Sequence, residues 1–255
     1  MGARPVAIVT GGRRGIGLGI AKALAADGFD IALTGIGDPS EAEGAVNEIR
    51  ELGAWAIYVQ SDLAALDSHA PALGQIVDEF GRVDCLVNNA GIASVVRSDF
   101  LELTPENFDT IISTNLRGTV FFTQAVLKIM LAGEALSARS VINITSVSAA
   151  LSSPERLDYC MSKAGLSSFS QGLALRLAET GIGVFEVRPG IIRSDMTAAV
   201  SAKYDQLIGE GLVPMRRWGE PGDIGRIVSG LASGKFGFAT GTVVDADGGL
   251  SIARL

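Results

Sequence analysis

The run Val6-Ala7-Ile8-Val9, passing directly into Thr10-Gly11-Gly12-Arg13-Arg14-Gly15-Ile16-Gly17, restricts the fold more than any other stretch of the chain. Four apolar residues without alternation suit a strand buried on both faces of a parallel sheet. The glycines end that run, and Ile20, Ala21 and Leu24 then follow at helical spacing. A strand, a glycine turn and a helix in direct succession form an anion site: glycine lets the backbone approach closely, and the unpaired N–H groups at the helix start favour negative charge.

The same alternation continues down the chain. Apolar runs at 30–34, 55–59, 83–87, 141–145, 184–187 and 243–245 read as further strands, separated by helical patterns at about 40–52, through Ile76 and Phe80, through Phe108 to Leu116, and at 157–180. With 255 residues, 47% of them hydrophobic, the chain is predicted to form one doubly wound α/β domain over 1–255, a seven-stranded parallel sheet flanked by helices.

A net charge of -7 argues against nucleic-acid and anionic-membrane surfaces, which need clustered Lys and Arg. His69 is the single histidine, which leaves little basis for a metal site or for Ser-His-Asp chemistry. Two cysteines, Cys85 and Cys160, make no disulfide framework, and the leader Met1-Gly2-Ala3-Arg4-Pro5 has no apolar signal core. A cytoplasmic protein without metal is expected.

Tyr159 and Lys163 stand four residues apart in the 157–180 pattern, one turn apart on one helix face. A phenol normally titrates near ~10, and a neighbouring cation draws it toward neutrality, where it serves as acid or base. Ser146, thirteen residues earlier at the end of the 141–145 run, offers a hydroxyl for a substrate oxygen.

Together these motifs resemble the short-chain dehydrogenase/reductase family: Thr-Gly-x-x-x-Gly-Ile-Gly at 10–17, Asn88-Asn89-Ala90-Gly91, Asn115-Leu116-Arg117-Gly118, Ser146, Tyr159-x-x-x-Lys163, and Pro189-Gly190 with a hydroxyl at Ser194. The resemblance implies hydride transfer between a nicotinamide and a carbonyl or alcohol carbon. Tyr159 would be the acid or base, Ser146 a hydrogen-bond donor to the substrate oxygen, Lys163 the cation that lowers the tyrosine pKa, and Asn115 the holder of a relay water. It implies a cofactor cradle of Gly11, Arg13, Arg14, Gly15, Ile16, Gly17, Gly35, Asp62, Leu63, Asn89, Ala90, Gly91, Tyr159, Lys163, Pro189, Gly190, Ile192 and Ser194. Gly35 stands where family members that use NAD(H) place an acid, and Arg14 where members that use NADP(H) place a base. NADP(H) is therefore favoured, with NAD(H) possible through Asp38 and Arg13 taken as an exposed neighbour.

The resemblance extends to 3-oxoacyl-carrier-protein reductases through Arg216-Arg217-Trp218-Gly219-Glu220-Pro221. Ser137 and Glu179-Thr180 fall where such enzymes carry basic residues for an acidic carrier, so a small carbonyl, polyol, sugar or hydroxy compound is a competing substrate. A non-catalytic NADP(H)-binding regulator is the alternative of another class. Arg97 and Arg156 are candidates for reading an anionic substrate. The family also implies a homotetramer, with Phe121, Phe122 and Phe169 as candidate outward apolar residues.

Overall fold

The computed structural model describes residues 4–198 and 200–254. Met1, Gly2 and Ala3 of the leader, Ala199 and Leu255 lie outside them. Seven strands pair in parallel, in the order β3-β2-β1-β4-β5-β6-β7. They are β1 Val6–Thr10, β2 Asp30–Gly35, β3 Ala56–Gln60, β4 Cys85–Asn88, β5 Arg139–Ile144, β6 Ile182–Pro189 and β7 Val243–Ala246. Chain order reverses between β1 and β4, which opens a crevice at the carboxyl ends of the strands, where ligands of such sheets bind.

Unbroken apolar strands make two cores because successive side chains point to opposite faces. Ala7 and Val9 join one cluster with Leu33, Ile142 and Val187, covered by α1 (Gly15–Ala26), α2 (Glu43–Arg50) and a later helix at 221–232. Ile8 joins the other with Leu86, Val141 and Val184, under α3 (His69–Phe80) and the helices at 119–132 and 157–177. The expected long helix carrying Asn115 is interrupted: α4 (Pro105–Ile112) leads into a single π-helical turn, Ser113–Gly118, and then α5 (Thr119–Ala132).

Helix α6 runs Leu157–Leu177 and ends in a short 3₁₀ turn at Ala178–Thr180, three residues sooner than the apolar spacing predicts. Gly181, at φ 73°, takes the left-handed conformation that turns the chain into β6. The region after β6 is more ordered than its sequence announced. It contains α7 (Asp195–Ala198) and α8 (Ser201–Gly209), and α8 packs through Ile208 with Val213 and Trp218. The Trp218 indole donates to Asp205 at 2.7 Å. Helix α9 (Pro221–Ala232) then packs closely on α1: a Cβ on Gly225 would lie 2.4 Å from the Gly19 carbonyl oxygen.

Phe122 is fully buried in the core beneath α5, so of the two placements open to it, outward or toward the sheet, it takes the sheet. Its neighbour Phe121 takes the outer face instead, 43% exposed. Helical geometry separates adjacent residues by about 100°, so one of the pair had to face the sheet.

Candidate active site

The glycine turn closes on itself at the end of β1. Gly11, at φ 63°, donates its N–H to Thr34 O at 2.7 Å, and Gly15 has φ 53°. A Cβ on Gly17 would stand 2.2 Å from the Gly11 carbonyl oxygen, so the first helical turn approaches the strand end as only glycine permits. The Asn89 side-chain amide donates to the carbonyls of Thr10 and Gly11 at 2.9 and 3.2 Å. Thr10 Oγ1 accepts from the N–H groups of Asn89 and Ala90, both at 3.0 Å, locking the β4 exit to the turn.

Across the crevice, the backbone at Gly190 is pressed against Asp247, 2.7 Å from where a Cβ would sit, and its N–H donates to Ala246 O. Pro189 ends β6, and Ser194 faces the turn, its Cβ 3.6 Å from a Cβ built on Gly15. Gly91 lies 3.2 Å, measured from its own built Cβ, from Asn115 Oδ1 and 3.5 Å from Lys163 Nζ. Gly11, Gly15, Asn89, Ala90, Gly91, Lys163 and Ser194 thus lie together along a groove from α1 to α6. Ile16 backs it, packed on the core.

Four expectations change. The side chains of Leu63 and Ile192 are buried in the two cores, so these two offer backbone rather than side chain to a ligand, while Asp62, next to Leu63, is exposed. Arg14 turns to the α7 side and pairs with Asp195 at 3.1 Å, away from the end of β2. Arg13 is the base at that end: its guanidinium lies 3.2 Å from a Cβ built on Gly37, and it pairs with Glu41. Asp38 caps the turn through Ser40, accepting from its N–H at 2.9 Å and its hydroxyl at 2.6 Å, contacts that hold its carboxyl below the usual range. Gly35 keeps its place at the strand end, beside the Tyr58 hydroxyl.

The catalytic candidates meet at the carboxyl ends of β4 and β5. Lys163 is buried and donates to Ile144 O at 3.0 Å. Its Nζ stands 5.8 Å from the Tyr159 ring centre. Asn115 is fully buried on the π-helical turn, and its amide bonds the Ile92 backbone on both sides and donates to Ser162 Oγ at 3.2 Å. Ser162 in turn donates to Tyr159 O at 2.8 Å.

The electrostatics depart from the expected division of labour. Burial pushes the Tyr159 phenol above its ordinary value, against a lowering by the Ser146 hydrogen bond and by the charges of Arg156 and Arg97. Burial also pulls Lys163 down to about 8, with Glu186 opposing. Lys163, its Nζ 5.8 Å from the Tyr159 ring centre, remains a cation at neutral pH. Protonated at neutral pH, Tyr159 is set as a proton donor.

Asn88 ties the central sheet together as its motif implied, whereas Thr123, Asn143, Ser170 and Glu186 were not foreseen. Asn88 Nδ2 donates to Asn143 Oδ1 at 2.7 Å and to Thr123 Oγ1 at 2.8 Å, and Asn143 Nδ2 to Ser170 Oγ at 2.8 Å, a buried chain joining β4, β5 and α6. Glu186 on β6 is 1% exposed. The available signal was a polar residue inside an apolar strand, Asn143 between Ile142 and Ile144, Glu186 between Phe185 and Val187.

Comparison with known proteins agrees with this arrangement. A family described as enoyl-(acyl carrier protein) reductase, of the short-chain alcohol dehydrogenase group, matches residues 11–251. The chain belongs to the short-chain dehydrogenase/reductase family, and it is an NAD(P)-dependent oxidoreductase acting on CH–OH and C=O groups. Within that family it is 36% identical over 245 residues to a 3-oxoacyl-[acyl-carrier-protein] reductase of Staphylococcus epidermidis, covering 96% of this chain and 98% of the relative. A Synechocystis 3-oxoacyl-[acyl-carrier-protein] reductase is 35% identical over 246 residues, 96% of each chain. A crystal structure of a 3-oxoacyl-[acyl-carrier protein] reductase from Brucella melitensis in complex with NAD superposes with a TM-score of 0.97 at 62% identity, over 100% of both chains.

The groove fits a nicotinamide dinucleotide: glycine-only approaches flank the free N-terminal amides of α1, and Lys163 and Ser194 border its far end. When bound, that cofactor supplies or accepts hydride at the nicotinamide ring. Tyr159 would give its proton to the substrate oxygen during reduction and take it back in oxidation. Ser146 would hold that oxygen as charge develops, and the buried Lys163 and Asn115 fix the floor of the site.

Proposed function

We propose that the protein reduces a ketone of the 3-oxoacyl type with a nicotinamide cofactor, Tyr159 acting as proton donor and Ser146 as oxygen-binding donor. The observation that carries this is the Tyr159 ring standing 5.8 Å from the buried Lys163 ammonium, one helical turn away, with burial holding the phenol above its ordinary value. The names of the curated relatives, 3-oxoacyl-[acyl-carrier-protein] reductases, support the substrate class. Delivery on an acidic carrier is less well supported. Ser137 is engaged by Arg82 and Asp84 at 2.9 and 2.8 Å, and Glu179 at the end of α6 is exposed. An acidic partner meets no free cluster of positive charge there.

A specific observation favours a second reading, a small keto or hydroxy acid carrying its own carboxylate. Arg156 lies 5.7 Å from the Tyr159 ring, and both it and Arg97 exert their charge on the phenol. Neither forms an ion pair among the described residues. Steady-state rates with acetoacetyl thioesters and with free acetoacetate decide between them. Thioester turnover indifferent to Arg97→Ala and Arg156→Ala supports the first reading. Preference for the free acid, lost in both variants, replaces it with the second, and absence of turnover with either overturns both.

For the cofactor, the charges at the end of β2 weigh against the NADP(H) preference that Arg14 implied. Glu41 neutralises Arg13, Asp38 adds a second negative charge, and the Brucella relative was crystallised with NAD. We infer that NADH binds at least as well as NADPH. No helix among the described residues is long and apolar enough to cross a membrane, and a cytoplasmic location is proposed. A homotetramer is also proposed, supported by Phe121, Met161 and Leu175 exposed on α5 and α6 and by the open edge of β7. A monomeric sedimentation profile at working concentration would refute it.

A further inference from the structure

A carboxylate buried in a central strand is expensive unless fully engaged, and Glu186 is fully engaged. Oε1 accepts from Thr145 Oγ1 and from Arg188 Nε, both at 2.7 Å; Oε2 accepts from Ser167 Oγ at 2.8 Å. Arg188 balances the charge and also donates to Ser167 Oγ at 2.8 Å.

Two of these partners bracket Lys163. Ser167 is four residues beyond it on α6, one turn along the same face. Thr145 directly follows Ile144, whose carbonyl accepts the lysine ammonium at 3.0 Å. One carboxylate is therefore tied both to the helix that carries the lysine and to the strand end that receives it. Resting on the reading of Lys163 as part of the catalytic set, we propose that Glu186 is a positioning residue for Lys163, anchoring both segments that aim the ammonium.

The surrounding charges agree. On α6, Tyr159 approaches Lys163 with its ring, at 5.8 Å. From the π-helical turn comes Asn115, which is neutral, and Arg188 on β6 is committed to Glu186. Glu186 is the charge that opposes the downward pull of burial on Lys163.

The test compares wild type, Glu186→Gln, Glu186→Asp, Ser167→Ala and Lys163→Met, measuring kcat and kcat/KM from pH 6 to 9.5 together with thermal stability. Glu186→Gln keeps the size and an accepting oxygen while deleting the charge. The limb of the profile that reports Lys163 is expected to move down by about one pH unit, so that the deficit is roughly tenfold at pH 8.5 and within about threefold at pH 6.5. Glu186→Asp is expected to restore the limb. Ser167→Ala keeps the charge and loses one anchor, and it is expected to lower kcat severalfold with the limb in place. An equal loss at every pH in Glu186→Gln, accompanied only by lower stability, overturns the proposal in favour of a packing role. Should Glu186→Gln not fold, an unchanged kcat in Ser167→Ala overturns the anchoring directly. Lys163→Met distinguishes the levels: if it turns over like wild type, the reading of the site fails and the proposal fails with it.

Discussion

Asn115 and Ile92 form a closed pair: the asparagine carbonyl accepts from the Ile92 N–H at 2.8 Å while its amide donates to the Ile92 carbonyl at 2.9 Å. A single side chain thereby substitutes for a strand neighbour at the point where the chain leaves β4, and the π-helical turn places it there. Asn115→Ala leaves two half-buried backbone groups unpaired, an expected cost of about 1–3 kcal/mol. Asn115→Asp keeps the acceptor but cannot donate to Ile92 O and places a carboxylate at a fully buried position, so its expected cost is larger. Chemical denaturation of the two variants checks the order.

Close approach at Gly118 gives a second prediction. A Cβ there would lie 2.1 Å from the Leu63 carbonyl oxygen, so the end of the π-helical turn and the segment after β3 cannot both keep their places. Gly118→Ala is expected to lower the melting temperature far more than Gly44→Ala, where nothing lies within 4 Å of the added methyl. Equal effects would show that the contact is relieved without cost.

Lys163 is buried, and its pKa falls from the model-peptide range to about 8. Between that value and the unfolded value near ~10.4 the unfolded chain binds more protons, so this group's contribution to stability rises with pH across the window and is lost as pH falls through about 8. Lys163→Met, freed of that penalty, is expected to be at least as stable as wild type at pH 7, with its advantage shrinking as pH climbs toward 10. The measurement is ΔG of unfolding for both proteins at pH 7, 8.5 and 9.5.

Cofactor choice follows from the pair at the end of β2. Glu41→Gln releases Arg13 to face a 2′-phosphate, and the Kd ratio of NADH to NADPH is expected to move about tenfold toward NADPH. Nicotinamide fluorescence titrations with both nucleotides read this directly. An unmoved ratio would show that Arg13 takes no part in discrimination.

Strand positions were legible because the runs of Val, Ile and Leu are continuous and bounded by glycine or polar turns, and the glycine turn and the Tyr159/Lys163 step were legible because their spacing is itself the geometry. Orientation was not. Residues 13 and 14 are both arginine, and which of them reaches the end of β2 depends on Glu41 and Asp195, neighbours distant in sequence. The same holds for Phe121 and Phe122. Glu186 was overlooked because its four-residue run was read for hydrophobicity, although a buried acid there demanded partners on Thr145, Ser167 and Arg188.

The central claim is that the Tyr159 hydroxyl delivers the proton during ketone reduction. Tyr159→Phe removes one oxygen from a packed site and leaves the groove of Gly11, Gly15, Gly17 and Ser194 untouched. Ketone reduction followed by nicotinamide absorbance is expected to fall by about 10²–10⁴-fold, with NADH affinity within about threefold of wild type. Turnover that survives in Tyr159→Phe, with the nucleotide still bound, would contradict the account.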